Sequence, residues 1–450
     1  MKAPVTAKRF PTRNDKSFEL PDVVVGKDVL ELVSSAMYVD PMTVYREYVQ
    51  NAADSVDAAR AAGILAPNEP GRIDITVEPG SRTVRIRDNG CGVPFREFGR
   101  KLAALGGSAK RGTRARGFRG VGRLAGLGYA QDVIFRSRAP SEDEVSELRW
   151  DCRRLKAALR DAREDTGVAD LIRSLTTLQR VDIEDVPERF FEVEMKGIVR
   201  LRNDRLVSPA AIGEYLSQVA PVPFSPEFRF GAELTDRLSR HVELGALEIR
   251  INGAETPIYR PHRDRFSFEE KQSTNFDKLS VMEIPGIDGD VAAIAWVLHH
   301  EYEGAIPTET LVKGLRLRAG NVQVGDHALL EELFPEARFN AWSVGEVHVI
   351  DRRIVPNGRR DHFEQSAHFH NLLNHLAPVA RDIARQCRTS SVRRKWEREF
   401  ELHAQAAVET LSVISQGSVG RPERVHLALS VEQTLMKMTK AMPKNYCFIS

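Results

Sequence analysis

The most restrictive feature of the sequence is a polar stripe on an otherwise apolar helical segment that begins near Thr43. Glu47, Asn51 and Asp54 are spaced by four and three residues, which places them on one face of a helix. The surrounding positions are mostly apolar or small, and a helix that is apolar nearly all round is normally buried. Buried carboxylates and amides need ligands or partners that compensate for their desolvation. We therefore expect the stripe to line a binding site; the plainer alternative is a solvated stripe on a surface helix.

A second motif follows a strand-like run over 83–87. Its sequence, D-N-G-C-G at positions 88–92, contains the Asn-Gly pair that is common in hairpin turns, so a plain turn is one interpretation. In the functional interpretation, Asp88 ends the strand as a carboxylate that faces a pocket and accepts a hydrogen bond from the exocyclic amine of adenine. Gly90 and Gly92 would then let the backbone approach the base closely.

A glycine-rich segment ends at positions 117–122 with the sequence G-F-R-G-V-G and opens an apolar, helix-like run over 124–129. Glycines before a helix can turn consecutive backbone N–H groups toward a triphosphate. The preceding segment, 106–114, is basic and hydroxyl-bearing and contains Lys110, which is the composition expected of a lid that closes on phosphates. The alternative for both segments is a solvated structural loop.

The three motifs, E-x-x-x-N-A-x-D, D-x-G-x-G and G-x-x-G-x-G, resemble in order and spacing those of the gyrase, heat-shock-protein-90, histidine-kinase and MutL (GHKL) ATPase superfamily. The resemblance covers about residues 25–220. It implies an α+β protein whose N-terminal Bergerat-fold α/β sandwich binds ATP together with Mg²⁺. The sequence has no P-loop lysine signature, which excludes a Walker-type ATPase.

By that resemblance, Glu47 is the general base that orients and deprotonates the attacking water. Asn51 is the magnesium ligand, since a Mg²⁺ ion that bridges phosphates keeps several waters and needs few protein ligands. Asp88 reads adenine, and Asp54 supports the helix or the ribose side. The remaining expected nucleotide-binding residues lie in the glycine motifs and the lid: Gly90, Gly92, Lys110, Gly117, Gly120, Val121 and Gly122.

One member of the superfamily's site has no counterpart in the sequence. Many relatives carry a Gly-Thr pair on a late strand, and its threonine joins the water network around adenine. The matching region reads Lys196-Gly197-Ile198, so this threonine is unassigned and the base selectivity is less defined.

A segment far along the chain indicates one branch of the superfamily. Residues 351–361 resemble the middle-domain segment of heat-shock-protein-90 (HtpG-type) chaperones that delivers an arginine to the γ-phosphate. The alignment puts Arg360 at that arginine with Arg359 beside it, and a basic surface turn is the alternative. Lys313, in the sequence T-L-V-K-G, is a rival donor because MutL and gyrase use a lysine on a transducer loop for the same role.

The chain is therefore identified as resembling HtpG-like ATP-binding proteins most closely, and we expect a chaperone-type ATPase whose lid closure drives a conformational change. Only about 90 residues follow Arg360, so we expect a shortened or divergent relative. A nucleic-acid-linked clamp of MutL, gyrase or MORC type is one alternative, and an ATP-sensing scaffold with little turnover is another. The resemblance also implies an ATP-dependent homodimer or a partner protein, with the client not indicated.

Length and patterning predict three domains after a polar arm. The expected division is 1–20 for the flexible arm, 21–228 for the ATP-binding domain, 229–365 for an α/β middle or transducer-like domain, and 366–450 for a helical C-terminal segment. Helices are expected from about 43 and over 153–163, 212–219 and 368–414, and strands over 72–77, 83–87, 132–138, 246–251, 291–299 and 346–350.

The composition limits the partners and the compartment. A net charge of +2, from 65 basic and 63 acidic residues, gives no bulk attraction to nucleic acid or to anionic membranes, so nucleic-acid binding would have to be local. The four cysteines are too scattered for a disulfide framework or a paired zinc site. The longest apolar run, 291–298, is far short of a membrane span, and we expect a cytoplasmic protein without a membrane partner.

Overall fold

The computed structural model describes residues 30, 40–66, 68–104, 122–161, 167–267 and 273–441. Helices and strands alternate along most of this length and two long helices end it, which confirms the α+β expectation. The α-helices longer than one turn are α1 (Thr43–Ala61), α2 (Phe95–Ala103), α3 (Cys152–Arg160), α4 (Val168–Leu175), α5 (Pro209–Val219), α6 (Gly231–Ser239), α7 (Ala367–Ser415) and α8 (Arg421–Ala441).

The first sheet has seven strands in the order β5-β4-β3-β6-β2-β1-β7. These strands are β1 (Gly71–Glu78), β2 (Thr83–Asp88), β3 (Asp132–Arg138), β4 (Val145–Asp151), β5 (Thr176–Val181), β6 (Phe190–Lys196) and β7 (Leu247–Ile251). Neighbouring strands are antiparallel, except that β1 and β7 run parallel.

Strand β1 shows how the sheet acquires one apolar face. Ile73, Ile75 and Val77 are buried while the residues between them are exposed, which is the period-two alternation of a half-buried strand. The turn at 79–82 returns the chain, so that Val77 pairs with Val84 in an antiparallel register. The strands expected over 72–77 and 83–87 are confirmed, and they form a hairpin.

Helix α1 lies on the apolar face of this sheet and forms the centre of its core. Tyr45, Val49 and Val56 are at most 1% exposed, and the Tyr45 hydroxyl donates to the carbonyl of Leu206. Helix α5 packs beside α1 and begins at Ser208, whose hydroxyl accepts a backbone hydrogen bond from the first turn. The helix that carries the polar stripe is therefore buried, as expected.

A ladder of ion pairs connects strands β2, β3 and β6. Arg136 on β3 reaches Glu192 and Glu194 on β6 at 3.0 and 2.8 Å, and Arg85 on β2 reaches Glu194 at 3.0 Å. Glu192 and Glu194 are only 2% and 3% exposed. The arginines supply the opposite charge and the hydrogen bonds without which burial of these carboxylates would be costly.

Two strands of the first sheet, β4 and β5, lie in the charged segment 139–188, where the sequence predicted only a helix over 153–163. Strand β4 buries Val145, Leu148 and Trp150, whereas Glu147 pairs with Arg136 at 2.8 Å. Cross-strand ion pairs therefore place charged residues inside a strand. This pattern conceals the apolar alternation by which a strand is recognised.

The second sheet has five strands in the order β10-β11-β14-β12-β13, and a separate pair is formed by β8 and β9. These strands are β8 (Arg265–Ser267), β9 (Ser273–Asn275), β10 (Lys278–Pro285), β11 (Val291–His299), β12 (Gly314–Ala319), β13 (Val322–Val324) and β14 (Val344–Val349). The strand expected over 291–299 is confirmed with its bounds.

The chain passes between the two sheets more than once. After α5 it contributes Phe224, Phe228 and α6 to a core around Trp296 of the second sheet. It then returns as β7, which pairs with β1, before it leaves again. The first sheet therefore includes a strand from beyond residue 228, although that domain boundary itself stays a prediction.

A buried charge cluster, the Glu346 cluster, joins the end of α5 to the second sheet. We define it as Glu346 on β14 with Arg260 and Arg318, whose guanidinium groups both bind its carboxylate. Arg318 also donates to the carbonyls of Gln218 and Ala220 at the end of α5. The last carbonyls of a helix lack partners within it, so Arg318 satisfies them and fixes this helix end on the second sheet.

The C-terminal segment consists of the long helices α7 and α8. The first half of α7 packs on the second sheet through Phe369, Leu372 and Ile383, each at most 1% exposed, and its second half pairs with α8. The helix expected over 368–414 is confirmed. Within the described ranges, no helix combines the length and apolarity needed to cross a membrane.

Candidate functional site

Glu47, the first residue of the polar stripe of α1, lies where the turn over 356–363 contacts this helix. Glu47 and Asp54 are each 8% exposed, and Asn51 between them is half-buried. The helix begins after Asp40, whose carboxylate accepts a hydrogen bond from the N–H of Met42 at 3.0 Å. Burial of the apolar sides of α1 therefore fixes where the three polar side chains stand.

Arg360 occupies the tip of a turn over 356–363. Pro356 and Phe363 pair at the base of this turn, and the N–H of Gly325, after β13, donates to the carbonyl of Arg360 at 2.8 Å. The φ of Arg360 is 56°, in the left-handed region that costs a residue with a side chain about 1 kcal/mol or more. Non-glycine residues held in that region are concentrated at functional sites.

The tip of this turn contacts α1 in both directions. The Arg360 guanidinium donates to the side-chain oxygen of Gln50, and its Nε lies 3.9 Å from Oε1 of Glu47. In return, Arg46 donates to the carbonyls of Arg359 and Arg360 at 2.9 and 3.4 Å. Arg46 also lies 3.4 Å from Oε1 of Glu47, so two guanidinium groups flank this carboxylate.

The two other candidate phosphate-binding cations lie elsewhere. The Arg359 side chain is exposed, and only its carbonyl is bound to α1 by Arg46. Lys313 is half-buried just before β12, where its carbonyl accepts from Arg316 at 3.2 Å and its charge lies near His327. Of the three candidates, the structure brings the Arg360 side chain to Glu47.

Gly122, the last residue of the glycine motif, packs directly on Glu47. A Cβ atom at this position would lie 2.3 Å from Oε2 of Glu47, so a side chain cannot be added without moving the carboxylate. The helix-like run expected over 124–129 is a 3-10 helix over Gly122–Gly128. It is held to α1 because the Tyr48 hydroxyl accepts from the N–H of Gly126 at 3.0 Å.

Replacing Gly122 by alanine should impair turnover more than folding. The colliding atom is the end of a flexible side chain, so we expect the free energy of unfolding to change by less than about 1 kcal/mol. The displaced carboxylate should nevertheless lower ATP turnover about ten- to hundredfold. Steady-state ATPase and urea denaturation measure the two effects.

Gly80→Ala is the matched control for Gly122→Ala, because a Cβ atom at Gly80 meets no atom within 4 Å. Its turnover and its stability should both equal those of the wild type. Normal turnover in Gly122→Ala would contradict the inference that packing of Gly122 on Glu47 fixes the position of the carboxylate.

Asp88 ends β2 and is 5% exposed. Burial raises the pKa of Asp88 to about 7, while hydrogen bonds from the N–H of Gly90 and the hydroxyl of Ser55 act in the opposite direction. The Gly90 N–H lies 2.9 Å from Oδ1. Gly92 has a φ of 65°, and a Cβ atom there would lie 2.3 Å from the carbonyl of Arg138. A side chain at position 92 would therefore collide with the backbone.

The strand register corrects one interpretation from the sequence. Asp88 pairs with Phe191 at the start of β6, whereas Lys196 ends that strand, five residues away and therefore about 16 Å along it. The segment 196–198 thus lies at the other end of the sheet from Asp88. The residue opposite Asp88 is aromatic and carries no hydroxyl group.

Replacing Asp88 by asparagine should stabilise the nucleotide-free protein at pH 8 while it weakens ATP binding. The folded state keeps the Asp88 proton up to about pH 7, whereas the unfolded chain releases it near the ordinary pKa of 3.8. The contribution of Asp88 to the free energy of unfolding is therefore fully present below pH 3.8. It is lost as the pH rises from 3.8 through about 7, a loss of up to about 4 kcal/mol.

Asparagine at position 88 removes this pH-dependent loss of stability because its side chain is neutral at every pH. Its amide can also present a donor to the adenine amine, where an acceptor is needed, so we expect ATP affinity to fall roughly ten- to hundredfold. Thermal unfolding at pH 5 and pH 8, with calorimetry of ATP, measures both effects. Equal ATP affinity of the variant and the wild type would remove Asp88 from the site.

Several expected site residues lie outside the described residues. Lys110, Gly117, Gly120 and Val121 fall within 105–121. Their placement at the phosphates stays a prediction.

The polar stripe offers oxygen atoms that suit a metal ion already bound to the phosphates of a nucleotide. In the part of the chain that the structure describes, no group of three or more His, Cys, Asp and Glu residues could hold a metal by itself. Magnesium bound to a nucleotide needs only one or two protein oxygens, and the half-buried Asn51 amide beside Glu47 offers one.

Three residues of this site, Arg46, Gln50 and Ser55, carry no motif by which the sequence alone would identify them. Arg46 and Gln50 are 6% and 1% exposed on α1, so polar residues on a helix predicted to be buried were the available signal. Their partners lie about 310 positions away in the chain. Such a distance leaves no local pattern that would identify the contact.

Comparison with known proteins identifies a family match and several relatives of this chain. Residues 40–172 match the family described as histidine kinase-, DNA gyrase B-, and HSP90-like ATPase. The chaperone protein HtpG of Polaromonas naphthalenivorans is 24% identical over 203 residues, which cover 40% of this chain and 30% of the relative. The HtpG of Fusobacterium nucleatum is 25% identical over 195 residues, covering 35% of this chain and 32% of the relative.

A third relative, the HtpG of Streptomyces coelicolor, is 29% identical over 149 residues, which cover 29% of this chain and 23% of the relative. The chain thus spans about a third or less of the length of the curated chaperones that it matches.

Proposed function

We propose that this chain binds Mg·ATP and hydrolyses it as a chaperone-type ATPase, because residues 40–172 match the histidine kinase-, DNA gyrase B- and HSP90-like ATPase family. The HtpG names of its relatives support the chaperone-type assignment. The contact between Arg360 and Glu47 carries the proposal, because it joins a cation of the second domain to the expected general base of the first.

In this mechanism each group has one task. Asp88 accepts a hydrogen bond from the adenine amine and fixes the base at the end of β2. Asn51 would contribute an oxygen ligand to magnesium, which when bound would neutralise charge on the phosphates. Glu47 orients the attacking water and accepts its proton.

Arg360 stabilises the negative charge that develops on the transferred phosphoryl group, the role in which a fixed guanidinium has a large effect. Its ion pair with Glu47 supports this role because it holds the guanidinium at the stripe. A bound γ-phosphate would offer Arg360 a stronger anionic partner. Nucleotide state would therefore change how the second domain docks on α1, which is the coupling that a conformational ATPase needs.

The proposed cycle includes association of the chain with itself or with a partner protein in the ATP state, and release after hydrolysis. Lid closure over the γ-phosphate would be the step that distinguishes ATP from ADP. Light scattering in ATP, ADP and nucleotide-free buffer tests this part separately from hydrolysis.

The first experiment is ATP hydrolysis by the full chain in Mg²⁺ and in excess chelator, with and without duplex DNA over a salt series. We expect Mg²⁺-dependent turnover that DNA does not stimulate. Salt-sensitive stimulation by DNA would favour the nucleic-acid clamp. Calorimetry that shows ATP binding without turnover would favour the sensing scaffold, and no ATP binding would overturn the proposal.

A further inference from the structure

Ser55 on α1 connects this helix to the loop that follows Asp88. Its Oγ accepts a hydrogen bond from the N–H of Cys91 at 3.1 Å, and its hydroxyl lowers the pKa of the Asp88 carboxyl group. Because the backbone amide can only donate, the proton of the Ser55 hydroxyl is available to Asp88.

The loop packs on Ser55 so closely that the contact has little freedom. A Cβ atom at Gly90 would lie 2.1 Å from Oγ of Ser55 and 2.8 Å from Oδ1 of Asp88. The N–H of Gly90 donates to the same Oδ1 at 2.9 Å. Ser55 Oγ and Asp88 Oδ1 therefore lie close to each other beside Gly90, and Asp88 accepts a backbone hydrogen bond from its own loop.

The neighbouring strands do not offer Asp88 a polar partner at its own register position. Ile73 lies opposite it on β1 and Phe191 on β6, and neither side chain can donate a hydrogen bond. Arg87, the preceding residue, points to the other face of the sheet, where it pairs with Glu192 at 2.7 Å.

The other titratable and charged groups around Asp88 come from its loop and from the elements beside that loop. The Cys91 thiol interacts with the Asp88 charge, and Lys101 and Arg189 act on that thiol. On α1, Asp54 precedes Ser55 and is the nearest carboxylate along that helix.

We propose that Ser55 is a positioning residue of the adenine site, which keeps the Asp88 carboxylate charged and oriented as an acceptor for the exocyclic amine of a 6-aminopurine. This inference rests on the proposed ATP-binding function. A protonated Asp88 would present a hydroxyl donor to the amine and would instead favour a 6-oxopurine. Ser55 therefore acts on base selectivity through Asp88.

Replacing Ser55 by alanine removes one donor from the charged form of Asp88 and should move its pKa upward by about one pH unit. We expect ADP affinity at pH 7 to fall about fivefold, and the loss to shrink to less than about twofold at pH 9, where the carboxylate is charged again. The preference for ADP over inosine diphosphate should decrease at pH 7. Ser55→Thr keeps the hydroxyl group and should retain affinity, pH profile and selectivity.

The experiment is calorimetric titration of the full chain with ADP and with inosine diphosphate between pH 6 and pH 9. Ser81→Ala, in the exposed turn after β1, is the matched control and should behave as the wild type. Circular dichroism and thermal unfolding identify any variant that does not fold. Loss in Ser55→Ala with retention in Ser55→Thr supports the inference.

The outcomes separate this inference from the proposed function. A wild-type chain that binds neither nucleotide overturns the proposed function and the role of Ser55 with it. Wild-type ADP binding together with an unchanged affinity, pH midpoint and selectivity in Ser55→Ala overturns the role of Ser55 alone. Equal losses in Ser55→Ala and Ser55→Thr also overturn it, because the hydroxyl group would then not be the cause.

Discussion

Glu47→Gln should bind Mg·ATP with nearly wild-type affinity and should lose hydrolysis. The amide has the size of the carboxylate, so the packing against Gly122 and an acceptor oxygen for Arg360 are retained. It cannot accept the proton of the attacking water, and loss of a general base lowers turnover about 10²- to 10⁴-fold. An effect on kcat without an equal effect on affinity identifies an interaction made during the reaction.

The measurement for Glu47→Gln is kcat with saturating Mg·ATP, together with ATP affinity by calorimetry. Glu97→Gln is a suitable control, because Glu97 lies on α2 and pairs with Lys101 at 2.8 Å, away from the junction of the domains. Undiminished turnover in Glu47→Gln would remove Glu47 from the role of base.

Arg360→Gly should lower ATP turnover by roughly 10³-fold, the lower end of the range for loss of a catalytic arginine, and should leave ATP affinity nearly unchanged. Glycine is chosen because the φ of Arg360 is 56°, where glycine removes backbone strain while alanine would keep it. The loss of the guanidinium group is thereby separated from a distortion of the turn.

Two further variants test whether the loss of any nearby positive charge would lower turnover. Arg359→Ala removes an exposed guanidinium and leaves the carbonyl that Arg46 binds, so its turnover should be close to that of the wild type. Lys313→Ala should likewise have a small effect, because Lys313 lies near His327 and not at Glu47. A large loss in Lys313→Ala with a small loss in Arg360→Gly would refute this assignment and favour a MutL-like site.

The elements with strong local signals could be predicted from the sequence. The helix that begins at Thr43, the hairpin of β1 and β2 and the apolar strand β11 follow from helical spacing, from turn residues and from a continuous apolar run. Each of these signals is complete within a short window of the chain. Their bounds were therefore accurate to within one or two residues.

Features that depend on partners far along the chain could not be predicted. Strands β4 and β5 carry charges whose partners lie elsewhere in the chain, Glu147 with Arg136 of β3 and Arg180 with Glu144 just before β4, so their own sequences do not alternate clearly. The pairing of Asp88 with Phe191 depends on the strand register. Comparison of motifs instead placed Lys196, five residues further along β6, in the region of Asp88. The hydrogen bonds of Arg46 to the 356–363 turn require the relative position of two domains.

The repeated passage of the chain between the two sheets determines which motions the protein can make. The connections are also bonded to each other: the N–H of Leu247 donates to the carbonyl of Pro221 at 2.9 Å, and the N–H of Arg260 donates to that of Pro223 at 2.9 Å. A single tether would permit swivelling, but parallel tethers that are hydrogen-bonded together permit mainly bending about one axis. Arg360 should therefore approach and leave Glu47 along a single arc. The geometry of these hydrogen-bonded connections would then set the alignment of Arg360 with the reacting phosphate.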